Sequence, residues 1–451
     1  MKHLLLILLL LTGIAAGSKA QQAAPAATGV HNFSLQDCIN YAYEHQDTVL
    51  NAKLDIKSAE YKVKETTGIG LPQISGSASF TDYVKIPTTL IPGQFFGQPA
   101  GTFIPVQFGV KYQSALGLNL SQLVFDGSYL VGLKASRTYK ELSQRSYTRS
   151  KIDANVNVTK AYYQVLVSNE QIKLLDADIN QLKQQVDQTV AQNKQGFVEL
   201  VDVQRIQVQY NNLLTTRENT VRLLALNYQL LKFQMGMPVN DELLLTDKLE
   251  SIQMADNTAS VATDTSFYHN RIEYNLLETS KKLNELDLEN KKANFYPKLT
   301  FNANYNSSYQ NNSFSDLYSH SFPSSFIGLT LNVPIFSGGQ KINQYRQSKI
   351  AVLKSENDLQ NAKNGLQLQA NAARINYVNS LRSLDNQKQN QQLAQEVLRV
   401  SKIKYQQGVG SSIEVTQAQT ALEDSDNKYI QSLYDALVSK VDLDKAYGKI
   451  Q

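Results

Sequence analysis

Between Gly339 and Gly408 the chain runs 68 residues with no proline and one glycine, Gly365. A continuous helix of that length would reach about 100 Å at 1.5 Å per residue, far more than the thickness of a bilayer. Its Gln, Asn and Lys content keeps such a helix in water. Just before it, Ile327, Leu329, Leu331 and Val333 alternate with Gly328, Thr330 and Asn332, the period-two pattern of a strand with one apolar and one polar face. Pro334-Ile-Phe-Ser-Gly-Gly339 then breaks the strand.

The same unit occurs twice. Gly117-Leu-Asn-Leu-Ser-Gln-Leu-Val-Phe-Asp-Gly-Ser128 matches Gly328-Leu-Thr-Leu-Asn-Val-Pro-Ile-Phe-Ser-Gly-Gly339 at an offset of 211 residues, and self-similarity of this kind governs the fold. After the first copy, a helical pattern runs from Ser128 to Gln195, with Ile172, Leu175, Ile179, Leu182, Val186 and Val190 spaced three or four apart as in a coiled-coil seam. Gly196 ends it, and a return helix from about Glu199 to Met235 stops at Gly236-Met-Pro238. Gly196 to Gly408 and Gly236 to Gly448 are both separations of 212 residues, so the second half has its own long helix, tip and return helix. Tight turns force each helix pair to pack antiparallel.

Upstream of each long helix lies a β-hairpin. Ile74, Gly76, Ala78 and Phe80 alternate with Ser75, Ser77, Ser79 and Thr81; a loop with Pro87, Pro92, Pro99 and Pro105 follows, and a return strand runs from about Phe108 to Leu123. In the second half Leu299, Phe301, Ala303 and Tyr305 alternate with Thr300, Asn302, Asn304 and Asn306. Ser34-Leu-Gln-Asp37 reads as a capping box opening a helix to about Thr66. The expected organisation is a signal peptide at 1–20, a disordered segment at 21–33 and a first repeat at 34–238, with its β-hairpin at 72–125 and helical hairpin at 128–235. A linker at 239–264 leads to a second repeat at 265–451, with its β-hairpin at 297–336 and helical hairpin at 340–447.

Met1-Lys-His, an apolar run from Leu4 to Leu11 and small residues before Gln21 describe a secretory signal, so the chain is exported. The formal charge of +4 includes Lys2 and Lys19, which leaves the mature chain too balanced for nucleic acid. Cys38 is the only cysteine, so no intrachain disulfide forms. No later stretch approaches about 18 consecutive apolar residues, which excludes a helical membrane protein but not a β-barrel. Enzyme signatures are missing: His31, His45, His269 and His320 show no metal-ligand spacing, Gly68-Ile-Gly70 lacks the third glycine of a dinucleotide loop, and there is no Gly-x-Ser-x-Gly elbow. We expect no catalytic residue, no cofactor and no metal. Asp176 and Asp178 read as a solvated helix face.

Four strands of membrane-spanning length cannot close a barrel, because the smallest membrane barrels have about eight. A barrel built from them is therefore shared between chains, with a long water-soluble helical body attached. The Phe-Asp-Gly-Ser and Phe-Ser-Gly-Gly turns, the Leu71-Pro72 and Tyr296-Pro297 strand starts, and the Gln-Gly tips followed by Val201-Asp-Val and Ile413-Glu-Val resemble the TolC-like outer-membrane efflux proteins, over nearly the whole chain from Phe33 to Gly448. Gln46-Asp-Thr stands where that family often has Asn-Pro.

The resemblance implies an α+β membrane protein, a homotrimer. Each chain gives four strands to one transmembrane β-barrel in the outer membrane, continuous with a periplasmic α-helical barrel of antiparallel coiled coils. The implied partners are outer-membrane lipid, a periplasmic adaptor and an inner-membrane pump, proton-driven or ATP-driven, with small molecules as cargo. A protein-secretion duct of the same architecture is the alternative, and a periplasmic coiled-coil adaptor is the rival from another class. Tyr405, Glu414, Gln417 and Asp202 match the family's pore constriction. The second acid of the motif is replaced by Gln417 and the usual basic residue by Gly410, so a weaker charge lock with less cation affinity is expected. Glu414 also reads, less readily, as a solvated residue near a helix start, whereas Asp202 reads more readily as a partner of Arg205. Gln195, Gly196 and Phe197, with Gln407, Gly408 and Val409, form tips that read both as adaptor contacts and as ordinary helix-ending turns.

Overall fold

The computed structural model describes residues 30–249 and 267–450. The expected signal peptide, the segment 21–29 and the linker stretch 250–264 lie outside the described residues. The long proline-free runs form α3 (Gly127–Lys194) and α6 (Gln340–Gln406), helices of 68 and 67 residues. Their return helices are α4 (Leu200–Met235) and α7 (Ser412–Ala446). Asp126 caps α3 by accepting the Ser128 and Tyr129 N–H groups at 2.8 and 3.3 Å. No described helix is long and apolar enough to cross a membrane.

The first helix is not one element. The expected run to Thr66 is split into α1 (Leu35–His45) and α2 (Asp47–Ile69). The capping box forms, with Asp37 Oδ2 accepting the Ser34 N–H at 3.0 Å. Gln46 makes the break. It is extended (φ −74°, ψ 126°), its N–H still reaches Ala42 O at 3.0 Å, and its Oε1 caps the next helix at Val49 N–H, 3.1 Å away. Gln46 thus ends one helix and starts the next.

The strands β2 (Gln73–Asp82), β5 (Tyr112–Phe125), β7 (Lys298–Asn311) and β8 (Phe322–Asn332) form one antiparallel sheet in the order β2-β5-β7-β8. Register aligns Ile74, Leu120, Ala303 and Ile327 on one face, and Ser75, Asn119 and Asn304 on the other. On the polar face Asn302 Nδ2 donates to Thr330 Oγ1 at 3.2 Å, and Asn304 Nδ2 donates to Asn119 Oδ1. Phe326 lies opposite Asn304, so an aromatic ring also sits on the polar face.

Three regions differ from the sequence expectation. The Pro-rich loop contains a ribbon of β3 (Thr88–Pro92) and β4 (Phe103–Gln107), so the return strand starts at Tyr112 rather than Phe108. Part of the segment expected to be disordered is β1 (Val30–Phe33), paired in parallel with β6 (Glu242–Leu245), which lies inside the expected linker. Phe33 packs against the buried core beside these strands, and that contact orders a segment too short to show a period of its own.

That core gathers Cys38, Ile39, Ala42, Val158, Tyr162, Val165, Leu231, Met235 and Leu243. Burial pushes the Cys38 thiol up to about 12. Tyr162 OH donates to Asp247 Oδ2 at 2.9 Å, and the same oxygen accepts the Leu35 N–H at 2.9 Å. Here the end of α4 meets the start of α2. Gly236 has φ 73°, and a Cβ on it would stand 2.5 Å from His45 O. Gly448 plays the same part after α7, where a Cβ would stand 2.8 Å from the backbone O of Asn270, two residues before α5 (Ile272–Ala293). Left-handed backbone and close approach both demand glycine. Gly236→Ala is expected to cost about 1–3 kcal/mol and to lower the unfolding temperature measured by circular dichroism, with Gly132→Ala, where nothing lies within 4 Å of the added methyl, as the harmless control.

Candidate functional site: the helical tip and the hairpin seam

Each helical hairpin turns on a left-handed glycine: φ is 81° at Gly196 and 73° at Gly408. The Phe197 N–H donates to Gln192 O at 3.0 Å, and the Val409 and Gly410 N–H groups share Lys404 O at 3.0 and 3.1 Å. Both turns satisfy the last carbonyls of a helix and push one apolar side chain outward. Phe197 is 77% exposed and Val409 78% exposed, with Gln195, Gly196, Gln407 and Gly408 exposed beside them. A Cβ on Gly410 would lie 3.0 Å from Lys404 Cβ and 3.1 Å from Tyr405 N, so tight packing accounts for glycine where a basic residue is usual.

The four expected constriction residues divide into two groups. Glu414 and Gln417 lie exposed on α7, three apart and on one face; the Glu414 N–H donates to the capping Ser411 Oγ at 3.2 Å. Asp202 and Tyr405 lie inward. Arg205 Nη1 donates to Asp202 Oδ1 at 3.0 Å and to Ser412 Oγ at 2.9 Å, and Ser412 Oγ also donates to Asp202. Asp202 therefore does pair with Arg205, and the pair clips α4 to the first turn of α7. Gln209 Nε2 extends the clip to Thr416 O and Thr420 Oγ1, both at 3.3 Å. Tyr405 packs against Leu398, Val415, Ala418 and Leu422. Its hydroxyl is buried with no partner, and burial together with the nearby Asp202 charge raises its pKa.

Further from the tip the two hairpins meet where α3 faces α7. Lys160 reaches Asp442 at 2.6 Å and Lys445 reaches Asp153 at 2.8 Å. Between these pairs and the tip clip sits a cluster that the sequence reading missed. Asp178 is not on a solvated face: it is 9% exposed, within hydrogen-bonding reach of Asp426, itself 9% exposed. Its neighbour Asp176 turns aside to Arg217. Gln391 Nε2 donates to Asp426 Oδ1 at 2.7 Å. Burial and the Asp426 charge push Asp178 up to about 7; burial raises Asp426 and Glu423 as well, and it lowers Lys402 although Asp178 faces it. A signal was present. Leu422, Asp426 and Ile430 follow one another at four-residue spacing, which puts an acid on an apolar stripe.

Against known proteins, the family model for outer membrane efflux proteins matches residues 38–229 and 283–449. The chain belongs to the outer membrane efflux protein family, the TolC-like outer membrane factors, and its place is the outer membrane. It is 21% identical over 337 residues to the outer membrane protein TolC of Vibrio cholerae serotype O1, covering 74% of this chain and 76% of that protein. With TolC of Escherichia coli the identity is 22% over 356 residues, covering 75% and 70%. In structure the chain is similar to CusC (TM-score 0.77, 16% identity, 95% of each chain). It is also similar to the Campylobacter jejuni CmeC outer membrane channel, with TM-score 0.72 and 15% identity over 94% of this chain and 90% of that one. None of these names is that of an enzyme.

The orphaned Tyr405 hydroxyl yields a prediction. Removing an unsatisfied buried polar atom relieves its desolvation cost, so Tyr405→Phe should raise stability by about 1 kcal/mol. Urea unfolding measures it; a loss of stability would show that the hydroxyl is hydrogen-bonded in the folded protein.

Proposed function

We propose that this chain is the outer-membrane duct of a tripartite export system, a passive gated conduit for small molecules. A periplasmic adaptor and an inner-membrane pump would deliver the cargo. The observation that carries the reading is a sheet with membrane-length strands and both edges, β2 and β8, unpaired among the described residues, leading into helices of 68 and 67 residues. Copies of the chain must supply the missing strand neighbours, and a homotrimer makes twelve strands, an even number within the range of outer-membrane barrels. The helices then form a hollow periplasmic body, with the two repeats at 34–238 and 265–451 contributing alike. The efflux family supports small-molecule cargo.

The tips are the docking ends. With a photo-crosslinking residue at Val409, irradiation of living cells should capture an adaptor belonging to a drug or metal pump. Capture of an adaptor of an ATP-driven secretion pump would move the cargo to proteins, and repeated capture of neither would overturn the docking role.

Glu414 forms the ring of charge at the constriction, with Gln417 the neutral ring one turn on. Gln417→Asp should strengthen block of the channel by multivalent cations on the order of tenfold, by adding three carboxylates to the ring. Planar-bilayer conductance reads the block, and an unchanged value would remove these residues from the pore.

A further inference from the structure

Every described buried side-chain polar atom left without a hydrogen bond belongs to Gln185, Tyr405 or Gln419. Gln185, on α3, is two turns tipward of Asp178. With Tyr405 and Lys402 from α6 it lines a cavity of about 180 Å³. Gln419, 1% exposed, lies one turn from Glu423 on α7 and directs its Nε2 at Glu423 Oε1, 3.5 Å away, which leaves Oε1 unmatched. A second cavity, of about 80 Å³, is lined by Asp178, Asn212, Thr216, Glu423 and Asp426. Lys402 joins the two, lining the first and facing Asp178 beside the second. Unmet hydrogen bonds, buried acids and a half-buried amine are thus concentrated in one stretch of the hairpin contact. Packing costs more there than where the seam holds ordinary ion pairs.

Two buried carboxyls hydrogen-bond to one another only when one of them carries a proton. We propose that Asp178 and Asp426 are a proton-held latch: a shared proton closes the seam between the two helical hairpins, and its release to water parts α3 from α7 and widens the tip. The last step rests on the duct reading above.

The charged groups facing the pair decide the sign. Lys402 approaches from α6 and Glu423 from α7, while α4 offers the neutral Asn212 and Thr216, its Arg217 being engaged by Asp176. With the proton gone, three carboxylates face one ammonium and the closed seam is repulsive. Burial raises both acids, so the closed seam holds a proton that a hydrated, open seam gives up. Closure is complete below the ordinary carboxylate range and is lost as pH rises through the raised value, near neutrality.

The test uses the full-length protein in lipid. Infrared spectroscopy follows the protonated-carboxyl band between about pH 5 and about pH 9, a range above the ordinary carboxylate pKa, and planar-bilayer conductance is measured over the same range. In the unaltered protein the band should fade as pH rises and conductance should climb several-fold with it. Asp178→Asn, whose amide donates to Asp426 at every pH, should lack the band and stay at low conductance throughout. Asp426→Asn should also lose the band, and circular dichroism checks that both variants keep their helices. Absence of the band from the unaltered protein, or its persistence in both variants, would overturn the shared proton. A titrating band with flat conductance would overturn the opening step. No conductance in any sample would sink the duct reading instead, leaving the infrared titration to decide the latch.

Discussion

Backbone N–H and C=O groups have no partners in hydrocarbon, so a sheet placed in a bilayer cannot end on an open edge. Among the described residues β2 and β8 are both open, and the proposed architecture follows from closing them. In the proposed duct, copies of the chain would close the four-stranded sheets into one wall. Strand register already puts Ile74, Leu120 and Ile327 on one side of the sheet and Ser75, Asn119 and Asn304 on the other. The helices inherit the same arrangement, because β5 runs directly into α3 at Asp126. Lys298, at the start of β7, reaches Asp126 at 2.8 Å, so neighbouring strand and helix starts are tied together. In the proposed assembly a ring of sheets would thereby become a ring of helices.

Within one chain, the contact between hairpins changes character along its length. Beside the sheet-proximal end of α7, Lys160–Asp442 and Asp153–Lys445 bind it to α3 with opposite charges at the surface, each worth little alone but none of it unfavourable. Toward the tip, the buried carboxyls of Asp178 and Asp426 and the half-buried Glu423 replace these pairs, and the orphaned polar atoms follow. At the tip itself Arg205 brings Asp202 and Ser412 together. The seam is therefore firm at one end, clipped at the other and least satisfied between. A structure that opens by parting its hairpins would part here first, because water entering this stretch meets hydrogen-bonding groups that the closed state leaves unmet.

Much of this could be read in the sequence because the strongest signals were local or repeated. The proline-free runs gave helices that end at Lys194 and Gln406, beside the glycines expected to stop them, and the alternation at Ile74–Phe80 gave a strand with the expected polar face. What could not be read depended on distant partners. Gln46 breaks a helix through one side-chain cap, a choice that helical periodicity does not record. The ribbon at Thr88–Gln107 pairs two segments rich in proline, the residue that usually argues against strands. Asp178 carries a charge that points to solvent, although Leu174, Leu175 and Leu182 flank it at helical spacing; its burial comes with Asp426, far along the chain.

The constriction motif shows why matched residues need not share a role. Tyr405 and Glu414 belong to one stretch of sequence, yet the ring of Tyr405 fills the core of its own hairpin while Glu414 faces outward. Asp202, half-buried, is held by Arg205 and by Ser412 in the first turn of α7. With Gln417 neutral and Gly410 fixed by packing against Lys404 and Tyr405, the exposed face of α7 near the tip keeps the Glu414 charge and gains none from these two positions. Exposed charges of this kind are largely screened by salt beyond about 8–10 Å, whereas buried ones are screened much less. In the proposed duct, the charge that decides closure would therefore sit in the seam, at Asp178 and Asp426, each 9% exposed, rather than on the exposed face of α7.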